Sequence, residues 1–265
     1  MINDQLADTR AKFQRAEFHA DELKARLVEF LSKEDSRPPV TTSFDPTHGV
    51  FIYSYALDEA VPHGEWATIL GDALTNYRAA LDYIAWVAAH AAGQSLTERQ
   101  ERRIYFPLSQ TQEKFEEDRR TKLPGVTSPL IDIIARYQPA RWPEAHRGNH
   151  PFSILGDLCN EDKHRKTIFT RAYTSQLKIY RPESSSSFIV DRIDAQRAVD
   201  FSPGVELFRV YGRPVGTTEP KLDLRIEAPM TVVMSNSGGH GVTAVLRVVK
   251  NMVGDLLGEV SPHLC

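Results

Sequence analysis

The chain is short of cysteine, of long apolar runs and of any excess of charge, and each shortage closes off a class. Two cysteines in 265 residues, Cys159 and Cys265, are too few for a disulfide framework, so a reducing compartment is expected. No apolar run approaches the ~18 residues of a membrane-spanning helix. The polar, acidic opening MINDQLADTR is unlike a signal peptide, so the expectation is a soluble, cytoplasmic protein without a membrane partner. Lys and Arg total 32 against 35 Asp and Glu, a net charge of −3. That is no polycation to wrap duplex nucleic acid, although it leaves room for a local basic groove. A G-x-S-x-G turn, a P-loop and a dinucleotide-binding glycine pattern are all missing. The pairs His48/His63 and His146/His150 lack the rest of a metal shell, and neither cysteine has a partner at zinc-ligand spacing. No metal and no cofactor are expected.

What is present is an ordinary globular composition, 41% hydrophobic and 25% charged, long enough to bury a core without staples. Leu6, Thr9, Phe13, Ala16, Ala20, Leu23, Leu27 and Phe30 follow a 3-4 spacing that places them on one helical stripe. The stripe serves either a bundle within the chain or the seam of a homodimer. Arg37-Pro38-Pro39 ends it. Gly49 to Leu57 alternates as a strand, apolar on both faces. Pro62 then opens a long helix to about Ala92, apolar over more than half its circumference and therefore central. Shorter helices are expected over 110–119, 129–137 and from Pro151, with a surface loop over 138–150.

Beyond Thr167 the pattern changes to β-branched and aromatic runs, at 168–173, 177–180, 188–193, 205–211, 222–227 and 230–234. Turn-rich pieces separate them, the serine run 184–187 reading as a hairpin tip, so an antiparallel sheet is expected. A last amphipathic helix from Gly241 to Gly258 buries Val245, Val248, Val249, Met252, Val253, Leu256 and Leu257. The fold class is α+β: a helix bundle with an antiparallel sheet inserted before a C-terminal helix. A single domain over 1–265 is expected. Its subregions are a long N-terminal helix (1–36), a helical core with one strand (37–166), the sheet (167–234) and the last helix (238–260).

Two polar constellations interrupt this pattern. Asp72, Asn76, Arg78 and Asp82 sit in the otherwise apolar central helix, with Arg78 and Asp82 four apart on one face. Charges there must be paired or line a cavity. An Arg78–Asp82 buttress and an anion pocket around Arg78 both satisfy that demand. The second constellation is Asn160-Glu161-Asp162-Lys163-His164-Arg165 at the end of a helix. It is either a cationic cap on the helix dipole or a cluster in which His164 acts as acid or base near neutral pH. The turn from Ser235 to Gly241 offers a third, weaker signal, backbone N–H groups before a helix that either cradle an anion or only connect strand to helix.

The run Gly71-Asp72, Asn76, Arg78, Ala80-Leu81-Asp82, Ala85-Trp86, followed by Phe106-Pro107-Leu108, Gln138-Pro139 and Asn160, Asp162-Lys163-His164-Arg165, resembles a group of uncharacterised bacterial proteins common in actinobacteria. The likeness covers about residues 45 to 170. In that group the central helix carries an arginine followed by a histidine. This is similar to the signature of the HEPN superfamily, helical bundles that include metal-independent endoribonucleases of toxin–antitoxin and phage-defence systems. The resemblance implies a HEPN-like core, RNA as partner, a homodimer and attack at a scissile phosphate. Carried onto this chain, it implies His164 and Arg78 as catalytic groups. Asn76, Asp82, Tyr83, Asn160, Asp162, Lys163 and Arg165 would then surround the substrate.

The chain departs from that signature at Tyr83, which stands where the histidine is expected. A phenol is a poor general base at neutral pH. Either the protein is a degenerate, RNA-binding member, or His164 supplies the imidazole and Arg78 or Arg165 stabilises the developing charge. The alternative is a non-catalytic module that binds a protein or a small ligand, with both constellations structural.

Overall fold

In the computed structural model, residues 2–32, 40–56, 62–164, 169–173, 178–180, 187–195, 204–216, 220–222, 224–227, 230–234 and 241–264 are described. The N-terminal stripe forms one helix, α1 (Ile2–Ser32). Leu6, Thr9, Ala16, His19, Ala20, Leu23, Leu27 and Phe30 are buried along it. Arg37-Pro38-Pro39 lies outside the described residues. A strand the periodicity did not announce, β1 (Val40–Asp45), precedes the expected one, β2 (Val50–Tyr55). They pair antiparallel, Val40 opposite Tyr55 and Asp45 opposite Val50. The turn between them is set by Asp45, whose Oδ1 accepts from the N–H of Thr47 (2.9 Å), and by Gly49 at φ 61°. Such an Asx turn ending in a left-handed glycine is the chemistry a short hairpin needs.

The central helix is α2 (His63–His90). Helices α3 (Glu98–Glu101), α4 (Gln112–Lys122) and α5 (Ser128–Arg136) follow. Thr97 and Thr111 cap the first two, each accepting a backbone N–H inside the first turn. The stretch read as a surface loop over 138–150 is exposed over most of 141–149. It contains two 3-10 turns, Pro139–Arg141 and Glu144–Asn149, and buries Gln138 and His150 at either end. Helix α6 (Pro151–His164) begins where its proline predicts.

Strands β3 (Phe169–Tyr173), β4 (Lys178–Tyr180), β5 (Phe188–Ala195), β6 (Glu206–Pro214), β7 (Arg225–Glu227) and β8 (Met230–Met234) fall on the six β-branched runs. All their pairings are antiparallel, as expected. Among the described residues they do not form one sheet. A four-stranded sheet runs β1-β2-β6-β5, and β3–β8 and β4–β7 are separate two-stranded ladders. The strand grouped above with the helical core thus belongs, through β6, to the four-stranded sheet. Helix α7 (Val242–Val260) closes the chain. Val248, expected inward, is exposed at 37%, while Val242, Leu246 and Val260 join the core.

The architecture is α+β, and the chain divides into two compact units. One comprises Met1–Lys24, His63–Thr167 and Val242–Cys265, and the other Ala25–Pro62 and Ile168–Gly241. In the first, the helical unit, α2, α6 and α7 pack against one another and α5 packs on α7. Trp66, Leu70, Tyr77, Leu81, Ile84, Phe152, Leu155, Val249 and Val253 are sealed from solvent there. In the second, the sheet unit, one face of β2, β5 and β6 makes an aromatic core of Phe51, Tyr53, Tyr55, Phe188 and Phe208 with Leu207, Val210 and Leu222. Tyr53 and Phe208 stack at 4.5 Å, and the Tyr53 hydroxyl donates to the Leu222 carbonyl. Among the described residues, no helix is long and apolar enough to cross a membrane.

Candidate functional site

Helix α2 carries the first constellation on its half-buried flank. The Arg78 guanidinium meets the Asp82 carboxylate one turn on, Nη2 to Oδ1 at 3.0 Å and Nε to Oδ2 at 3.3 Å. The same guanidinium donates from Nη2 to the Phe106 carbonyl at 2.8 Å. Asp82 Oδ1 in turn accepts the Phe106 N–H at 2.9 Å. Two side chains four apart on a helix lie on one face, so together they read both polar groups of one distant peptide residue. Phe106 is thereby pinned to α2, its ring buried edge-to-face on Phe152 at 5.7 Å.

Asn76 behaves differently from the role implied for it. Its Nδ2 donates to the backbone carbonyl of Asp72 at 2.7 Å, a bond within the helix. Tyr83, 37% exposed, faces outward. Arg78 and Asp82 are therefore brought together, whereas Asn76 bonds within α2. On α6, Asn160 is exposed and Glu161 half-buried. Asp162, Lys163 and His164 continue the helix to its end, but their side chains lie outside the described residues, and so does Arg165. The Ser235 to His240 turn is outside them as well.

Sequence reasoning missed a second polar network in the same unit. Ser109, three residues after Phe106, is 1% exposed and makes three bonds. Its N–H donates to Gln138 Oε1 (2.9 Å), its Oγ to Asp118 Oδ2 (3.0 Å), and its carbonyl accepts the Ala140 N–H (3.0 Å). Gln138 Nε2 donates back to the Ile134 carbonyl at 3.1 Å. Gln110 reaches Ser153 Oγ on α6 at 2.9 Å. The Phe106-Pro107-Leu108 and Gln138-Pro139 segments, quoted above for the resemblance, thus meet around Ser109. The readable signal was a polar Ser-Gln following an apolar island and a glutamine before a proline.

Asp118 is the charged member of that network, with only 5% of its side chain exposed. Burial opposes its ionisation, but bonds from Lys122 (3.1 Å), Ser109 and Lys114 (3.4 Å) outweigh it and hold its pKa below the ordinary aspartate range. His150 is the opposite case. It is 1% exposed, and its Nδ1 accepts the Phe152 N–H at 3.1 Å at the start of α6. Burial pushes its pKa down to about 4, so the ring is neutral and serves as a helix cap. Cys159 is buried on α6.

Among the described residues, no group of three or more His, Cys, Asp or Glu side chains is placed to hold a metal ion. What the α2 flank does chemically is clamp a backbone segment. Its guanidinium already has a carboxylate and a carbonyl as acceptors, with 25% of the side chain left accessible. Compared with family models, curated proteins and solved structures, the chain matches none.

Proposed function

We propose that this chain is a non-catalytic binding protein in which the Arg78–Asp82 constellation holds the fold. One observation supports this above the rest: both charged side chains are engaged with the two backbone groups of Phe106. A residue that acts on substrate needs its donors aimed at where charge develops. Here they are aimed at a peptide of the same chain. Tyr83 stands where the HEPN signature has histidine, so that position offers no imidazole.

A second reading is HEPN-like RNA binding or processing in the cytoplasm, with RNA and a second copy of the chain as partners. The partial accessibility of Arg78 and the exposure of Tyr83 five residues on favour it. In that reading His164 and Arg78 act on phosphate, with Asn160, Asp162, Lys163 and Arg165 around them.

Incubating wild type, Arg78→Ala and His164→Ala with single-stranded RNA in chelator separates the two. The binding reading expects no cleavage by any of the three, and a lowered unfolding midpoint for Arg78→Ala. Cleavage by the wild type that both variants lose while keeping the wild-type midpoint would sink it in favour of the second.

A further inference from the structure

The helical unit contains a cavity of about 390 Å³ that shares no residue with the Arg78–Asp82 clamp. Its walls come from α1 (Asp21 and Lys24 among them), from Tyr77 on α2, and from the first turns of α7, including Arg247 and Lys250. A volume of that order suits a small molecule.

Tyr77 is the informative wall. It is 0% exposed, its ring packs edge-to-face on Phe13 at 5.9 Å, and its hydroxyl has no hydrogen-bond partner among the described residues. Buried hydroxyls are nearly always bonded, because leaving one unmade forfeits its hydration with nothing in return. An unpaired one on a cavity wall is explained by a partner that arrives with a ligand. Burial, then the nearby carboxylates of Glu17 and Asp21, push its pKa up, so it stays a neutral donor.

The charges around it are unevenly satisfied. Lys250 is bound to Glu17 Oε1 at 2.6 Å. Lys24 and Arg247 make no ion pair among the described residues, and Asp21 is the one carboxylate on the wall itself. Thr243 and Ala244, in the first turn of α7, also line the space. First-turn N–H groups lack intrahelical acceptors and carry the positive end of the helix dipole. Two cations unpaired among the described residues, a helix N-terminus and the Tyr77 side chain line one space.

We propose that this cavity binds a small organic anion, a phosphate- or carboxylate-bearing molecule. Its charged group sits against Lys24, Arg247 and the start of α7, and the Tyr77 hydroxyl donates to it from the buried side. Asp21 sets a second requirement, a hydroxyl or amine on the ligand to donate to it. The site gives the binding role above its ligand class and rests on that reading.

Calorimetric titration at constant ionic strength tests it with three probes: inorganic phosphate, glycerol phosphate and glycerate. The first is the anion alone, and the other two add donors on a phosphate and on a carboxylate. The expected result is saturable binding of glycerol phosphate or glycerate, tighter than inorganic phosphate. Affinity falls at least about tenfold in Lys24→Ala/Arg247→Ala, as loss of charge-assisted bonds dictates. Tyr77→Phe also weakens binding while keeping the wild-type circular dichroism. Both cations are exposed, and the double variant is expected to keep the wild-type circular dichroism. No saturable binding of any probe to the wild type, or unchanged affinity in both variants, overturns the site. That outcome leaves the Arg78 clamp as it stands, whereas RNA cleavage lost in Arg78→Ala removes the binding role whatever the probes do.

Discussion

Asp82 and Phe106 are joined across 24 residues of chain, the carboxylate Oδ1 accepting the backbone N–H at 2.9 Å. Arg78 completes the bracket from the other side through the Phe106 carbonyl. A charged pair in a central helix therefore acts here as a device for holding a loop. The bracket replaces the secondary-structure partner that an irregular segment lacks, since buried backbone groups must be bonded somewhere.

Removing the carboxylate leaves two groups stranded at once. Asp82→Ala deprives the Phe106 N–H and the Arg78 guanidinium of an acceptor and is expected to cost about 1–3 kcal/mol. Asp82→Asn keeps an oxygen for the N–H and costs less. Urea unfolding of both variants checks the order. In a double-mutant cycle with Arg78→Ala a coupling of about 1 kcal/mol is expected, and additivity would show that the two do not act together.

Asp118 makes the helical unit sensitive to acid. Its folded-state pKa lies below the value near 3.8 expected in the unfolded chain, so the unfolded state takes up its proton first as pH falls. The carboxylate's contribution is complete above that unfolded value and is lost as pH drops through the folded one. Asp118→Asn should be less stable than wild type at pH 7 and should show a flatter decline below about pH 4. Parallel declines of the two proteins in acid would rule out this role for Asp118.

The helices were readable wherever one face is apolar. The 3-4 stripe of α1 and the near-continuous apolar run of α2 reflect burial directly, and burial is what periodicity measures. Strands β3 to β8 were readable from their β-branched and aromatic runs, although their partners were not, because pairing is a long-range choice that a local alternation does not encode. Strand β1 hid because Thr-Thr-Ser at its centre breaks the apolar alternation that marks a strand, and none of its side chains is fully buried. At the site, the i,i+4 spacing announced Arg78–Asp82 but not Phe106, whose backbone is the third party. Backbone groups carry no residue-type signature, so a clamp on them is invisible in sequence. Ser109 and Gln138 were hidden for a related reason, being polar residues in segments that look like surface and are 1% exposed.

His150 adds a second acid-sensitive step at higher pH. Burial lowers its pKa from 6.5 to about 4, so between those values the unfolded chain binds a proton that the folded one refuses. Stability is complete above about pH 6.5 and falls toward pH 4, by up to about 3 kcal/mol from this group. Its imidazole proton shifts in NMR should stay at the neutral values down to about pH 5. His150→Asn, which keeps a short acceptor at the start of α6, should remove the slope between pH 6.5 and 4. A normal titration near pH 6.5 would refute the buried neutral cap.

Gly212 on β6 is required by a close approach of backbone to backbone. A Cβ there would lie 1.9 Å from the Ile189 carbonyl oxygen and 2.6 Å from Phe188 Cε1. Ile189 and Phe188 belong to β5, which pairs with β6 across a bulge at Val190/Arg192. The neighbours are a ladder carbonyl and a fully buried ring, neither of which yields easily, so β5 must move away. Gly212→Ala is expected to cost about 3 kcal/mol or more, at the upper end of overpacking effects, and to speed hydrogen exchange along β5. Gly64→Ala makes the contrast. It sits on α2 with nothing within 4 Å of the added carbon, and alanine is the better helix former by about 0.5–1 kcal/mol. That variant should be at least as stable as wild type. If both substitutions shifted the unfolding midpoint in the same direction, the close β5–β6 contact would be wrong.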